Sequence, residues 1–116
     1  MAYGDAAICV SSAARTTSGA SAALTSEKAT AINVMVEATA LSGTPNLVIT
    51  IDWSFDGTNF TASDPVDSAF TAITTTPTRA TKQFTVKAPF FRINWAITGG
   101  TPNITFAVWR YFTNAT

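Results

Sequence analysis

From Leu47 to Phe55 every second residue is large and apolar. Leu47, Ile49, Ile51, Trp53 and Phe55 point one way, and Val48, Thr50, Asp52 and Ser54 point the other. Alternation with a period of two puts one face of an extended chain in a core and the other toward solvent, which is the signature of a half-buried strand. The same pattern recurs along the chain. Ile32, Val34, Val36 and Ala38 alternate with Asn33, Met35, Glu37 and Thr39, and Phe84 and Val86 share a face. Phe91, Ile93, Trp95 and Ile97 alternate with Arg92, Asn94 and Ala96, and Ile104, Phe106 and Val108 alternate with Thr105, Ala107, Trp109 and Tyr111. Weaker strand candidates are 6–11, 21–26 and 69–75. No long stretch repeats its apolar residues at helical spacing.

These segments predict about eight short strands. Pro45, Pro65, Pro77, Pro89 and Pro102 all fall between them, where a missing N–H costs no ladder bond. The economical packing is all-β, a two-sheet antiparallel β-sandwich of jelly-roll or Ig-like type. A chain of 116 residues makes one such domain, expected over 31–116, with 1–30 as an extended N-terminal arm or an edge strand.

Gly43-Thr44-Pro45-Asn46 recurs 57 residues later as Gly100-Thr101-Pro102-Asn103, and the flanking strands keep the same parity. This reads as two equivalent β-hairpins, each closed by a Gly-Thr-Pro-Asn loop. Charge is uneven too. Residues 1–67 hold all seven acids with only Arg15 and Lys28, and residues 68–116 hold five cations and no acid. If strands from the two parts interleave, these charges mix on one surface; if not, a two-signed surface suits contacts between copies.

Composition narrows the function. With no His and one Cys there is no Ser-His-Asp or Cys-His chemistry, no intrachain disulfide and no thiolate cluster for zinc, so no metal or cofactor is expected. Cys9, within Ala7–Val10, reads as a small buried hydrophobe. Seven scattered cations make no stripe for nucleic acid, and no apolar run is long enough to cross a bilayer. The first thirty residues lack the basic and apolar regions of a Sec signal, so synthesis in the cytoplasm is expected.

The chemical motifs are weak. Asp52-Trp53-Ser54-Phe55-Asp56-Gly57 matches the start of a calcium loop, but Ser63 stands where the bidentate Glu belongs, and Asp56-Gly57 reads better as a hairpin turn. Asp64 and Asp67 read as a solvated loop before a carboxylate pair. An enzyme is therefore the least expected class. Trp53 and Trp95 fall on apolar faces, whereas Trp109 and Tyr111 share the face opposite Ile104, Phe106 and Val108. Outward aromatics mark a protein contact or a sugar platform, unless a bulge returns Trp109 to the core. The candidate interface residues are Trp109, Arg110, Tyr111 and Arg15.

The segments ATALSGTPNL (38–47), LVITIDW (47–53), SFDGTNF (54–60), FRINW (91–95) and GGTPNITFAV (99–108) form a grammar of alternating strands and Gly-rich turns. Over residues 32–112 it resembles small β-sandwich virion structural proteins of tailed bacteriophages, of the capsid decoration or cement type. Phe60 stands where that group more often has Trp. The resemblance implies a protein on the capsid surface that binds the major capsid protein of the assembled shell and bridges neighbouring subunits, as a homo-oligomer with a trimer the first expectation. Neck, tail and fibre proteins share the pattern. The alternative class is a carbohydrate-binding module with a sugar stacked on Trp109 and Tyr111.

Overall fold

The alternating segments become strands whose buried faces are the expected ones, but the strands are longer than the pattern shows. The structure, a computed structural model, describes residues 6–26, 29–62 and 70–113. It contains β1 (Ala6–Arg15), β2 (Gly19–Ala20), β3 (Leu24–Thr25), β4 (Ala31–Ser54), β5 (Thr61–Ala62), β6 (Thr78–Thr85) and β7 (Phe90–Thr113), with no helix among the described residues. All pairings are antiparallel and belong to one sheet that does not close into a barrel.

β4 and β7 have 24 residues each and pair along their whole length, from Ala31↔Thr113 to Ser54↔Phe90. The Gly-Thr-Pro-Asn repeats therefore do not close two hairpins. Each lies in the middle of a long strand, and the two face one another, with Ser42↔Asn103 and Thr44↔Gly100 in register and, in the shift between them, Gly43 of β4 against Thr101 and Pro102 of β7. Pro45 and Pro102 accordingly lie within β4 and β7.

The long strands fold over at this point. A straight strand of that length would span ~80 Å at about 3.3 Å per residue, and the longest dimension of the molecule is 44 Å. Phe91 and Phe112, at opposite ends of β7, bring their rings to 6.1 Å, and Trp95 and Phe106 theirs to 5.8 Å. The bend needs backbone that ordinary residues avoid: Gly43 has φ 71° and Gly99 φ 112°. A Cβ on Gly43 would collide with the Thr101 carbonyl oxygen, and one on Gly99 with that of Thr44.

One folded sheet thus gives two leaves in place of two separate sheets. The β1/β6 leaf has the order β6-β4-β7-β1 and uses the beginning of β4 and the end of β7. The β5 leaf uses the other ends, with β5 beside β4 and β2 and β3 beside β7. Residues 70–73 extend the β5 edge by backbone bonds from Phe70 N–H to the Ile49 carbonyl and from Ile73 N–H to that of Leu47. Residues 6–26, expected as an arm or an edge strand, run along β7. A single core lies between the leaves, built from Ile32, Val34 and Val36 on one side and Leu47, Ile49 and Ile51 on the other. Fully burying each such side chain contributes roughly 1.5–3 kcal/mol.

The 57-residue repeat is a local two-fold relation. Moving β4 forward and β7 back by 57 residues converts the pair Ile51–Ile93 into Val108–Val36 and Asp52–Arg92 into Trp109–Met35, both real pairs of the sheet. The uneven charges also meet across the sheet. Arg79 binds Glu37 at 2.8 Å, and Arg92 binds Asp52 at 3.0 Å.

Candidate interface

The outer face of the β1/β6 leaf is set by register. Ile8, Trp109, Met35 and Thr81 form one row across β1, β7, β4 and β6, and Ala6, Tyr111, Asn33 and Gln83 form the next. Directly opposed residues of neighbouring strands share a face. Ile8 is 46% exposed, Tyr111 40%, and Trp109 and Met35 are half-buried. Between them lies an open cleft of about 270 Å³, walled by Ala6, Asn33, Met35, Thr81, Trp109 and Tyr111. The ion pair of Glu37 and Arg79 borders this surface one row farther on.

Trp109 faces outward because the bulges fall in β1 and leave the alternation of β7 intact. One extra residue lies between Ile8 and Val10 and another between Val10 and Ala13. The first lets Ile8 face outward beside Trp109 while Val10, opposite Val108, turns into the core. Cys9, at that bulge, packs against the core, and burial pushes its thiol up to about 11 against the opposing pull of the Arg110 charge. It is a weak nucleophile at neutral pH, as a structural hydrophobe should be.

The four residues singled out in the sequence do not form one cluster. Trp109 and Tyr111 share the outer face. Arg110 alternates to the other side and lays its guanidinium over the Phe112 ring at 4.3 Å, although its residue also borders the cleft. Arg15 lies opposite Ile104, five positions earlier along β7, ~17 Å away at strand spacing. Its guanidinium sits over the rings of Trp95 (5.0 Å) and Phe106 (4.7 Å) and donates to the carbonyls of Ser11, Ala13 and Phe106. Arg15 therefore pins β1 to β7. Met35, Ala6, Asn33 and Thr81 line the cleft and were not singled out by the sequence reading, nor was Ile8, which lies beside it opposite Trp109. The parity of Met35 was legible, but its neighbour Trp109 lies 74 positions away and is supplied only by the long-range register.

The corresponding face of the β5 leaf is polar. Buried Asp52 pairs with Arg92, and the Phe60 ring covers that guanidinium at 4.5 Å. The segment that suggested a calcium loop is a hairpin turn with Gly57 at φ 81°. Asp56 accepts the N–H groups of Thr58 and Asn59, the Asn59 amide and the Ser54 hydroxyl. These bonds hold its carboxyl well below the usual carboxylate range. Phe55, placed by parity with the core, is 82% exposed because the strand ends at Ser54. Trp53 is buried as expected, and Trp95 is only half-buried, its indole N–H donating to the Thr17 carbonyl. Asp64 and Asp67 lie outside the described residues.

The sequence matches no protein-family model and no curated protein. Among solved structures the fold is similar to the PBSX exported protein XepA, with a TM-score of 0.71 at 12% identity over 98% of this chain. The chain spans 38% of that protein's length. This likeness establishes a shared all-β fold.

Proposed function

We propose that the chain is a bacteriophage virion structural protein of the capsid decoration type, which binds the assembled shell through the outer face of its β1/β6 leaf. The observation that carries this reading is the apolar row Ile8–Trp109–Met35 on a solvent-facing sheet. A large aromatic in a partly desolvated groove is the usual anchor of a protein contact. The turn grammar of 38–60 and 91–108 supports the phage assignment, and a fold shared with an exported protein is compatible with work outside the producing cell. Zero formal net charge favours association.

In this proposal the partner is the major capsid protein, and binding only the assembled lattice stabilises it by mass action. The leaf supplies part of the area that a stable contact needs, and a trimeric arrangement would let several leaves bind together. No catalytic step, cofactor, membrane or nucleic acid enters the mechanism. The cleft walls offer few groups to hold sugar hydroxyls, which weighs against the carbohydrate alternative.

The test is quantitative mass spectrometry of gradient-purified particles, combined with rebinding of Trp109→Ala protein to stripped shells. The proposal expects a copy number comparable with the major shell protein and loss of rebinding by the variant. A handful of copies per particle would move the chain to the neck, tail or fibre. Absence from particles, with retention on a glycan column that Trp109→Ala abolishes, would replace the reading with carbohydrate binding.

A further inference from the structure

The two-fold relation within the sheet supplies a template for what fills the cleft. β5 beside β4 corresponds to β1 beside β7: Thr61 opposite Trp53 matches Ala7 opposite Arg110, so the position of Phe60 is taken by Ala6. In the β5 leaf the Phe60 ring lies on Arg92, whose counterpart is Met35. In the β1/β6 leaf there is only the Ala6 methyl group, and Ala6, Met35 and Trp109 wall an open cleft. The cleft is the space that an aromatic ring covers in the other leaf. At about 270 Å³ it is below the size of a drug-sized pocket and suits one large side chain.

The exposed large hydrophobic side chains among the described residues are Ile8, Tyr111 and Phe55. Tyr111 lines the cleft, and Ile8 lies beside it, opposite Trp109. Phe55 stands 82% exposed on the turn after β4, on the opposite leaf. The turn below it is held by the Ser54, Asp56 and Asn59 hydrogen bonds, so the ring is presented from a braced support. A projecting aromatic on one part of the surface and an aromatic-sized groove on another are complementary when two copies meet.

We propose that the occupant of the cleft is Phe55 of a second copy of this chain. The ring would pack against the thioether of Met35 and the indole of Trp109, both favourable partners for an aromatic. Donor and acceptor patches differ, so the contact is heterologous, and the rotation between copies decides whether a small ring closes or a filament grows. The inference rests on the same face as the proposed function, giving its cleft to a second copy and leaving the rest of that face to the shell, and it is tested in solution without particles.

Sedimentation of the full chain should show a mass that rises with concentration above the 12.2 kDa monomer. Phe55→Ser and Trp109→Ala should each remain monomeric, and Met35→Gln should weaken association in a protein whose melting temperature is little changed. The deciding arm is a mixture. Phe55→Ser retains the groove and Trp109→Ala retains the ring, so together they should form heterodimers that neither forms alone. A chain that is monomeric at every concentration overturns self-docking, and if it still binds shells the proposed function stands. Oligomers that survive both substitutions, or a mixture that stays monomeric, overturn it as well.

Discussion

One leaf of this protein carries Asp52 and Arg92 across the middle of its outer face, and the other carries Trp109 and Met35 at the equivalent backbone positions. The polar leaf is finished within the chain: the charges neutralise one another and Phe60 lies over the guanidinium. The apolar leaf has no such cover among the described residues, because Ala6 stands where the ring would be. Similar backbones thus separate two tasks. Buried faces hold the fold, and one of the two outer faces is left apolar and uncovered by the described residues.

The comparison is broken most severely at the bend that makes both leaves possible. Gly43→Ala combines a left-handed φ with a collision against the Thr101 carbonyl, so it should cost about 3 kcal/mol or more. Gly57→Ala shares the positive φ, but its Cβ meets only the Phe90 ring at 3.5 Å, and the expected cost is about 1 kcal/mol. Urea unfolding of the two variants measures the difference, and equal losses would mean that backbone crowding at the bend is not what matters.

A smaller effect separates the outer faces. Asp52→Ala removes the carboxylate that Arg92 binds and should destabilise by about 1–2 kcal/mol, less than for a fully buried pair because Arg92 reaches solvent. Met35→Ala, at the equivalent of Arg92, should cost under about 1 kcal/mol, since its side chain is already half-exposed. Thermal denaturation of both variants tests the ranking; a larger loss for Met35→Ala would give the apolar face a structural role.

The smallest expected effect depends on pH. The carboxyl of Asp56 is depressed in the folded chain, so its contribution is present above the ordinary carboxylate value near 4 and is lost as pH falls below it. Melting temperatures taken from pH 6 down to pH 2 should fall less for Asp56→Asn than for the parent over that window. Parallel curves would remove the turn from the acid response.

Much of this was legible beforehand, for a definite reason. Burial follows parity, and parity is local, so Ile32, Val34, Leu47, Ile49, Ile104 and Phe106 could be assigned to the core from spacing alone. Gly-Thr-Pro-Asn was visible but ambiguous. The same residues can turn a hairpin or bend a continuous strand, and the outcome depends on pairing with the second copy of the motif, 57 residues farther along. Arg15 illustrates the other blind spot. A lone cation in a Ser/Ala/Thr-rich stretch looks like surface, yet two aromatic faces and three carbonyls converge on it once β1 lies beside β7.

The pairing of Ala31 with Thr113 also constrains how the molecule comes into being. β4 has almost no local partner, so contacts must be made across loops tens of residues long, which is the regime of slow folding. During synthesis at about 5–20 residues per second, several seconds pass between the emergence of β4 and that of β7. Through that interval a strand rich in Ile and Val has partners for one edge only, β5, residues 70–73 and β6, and its other edge stays open to association with other nascent chains. Assembly of the centre begins only when the last long strand has been made.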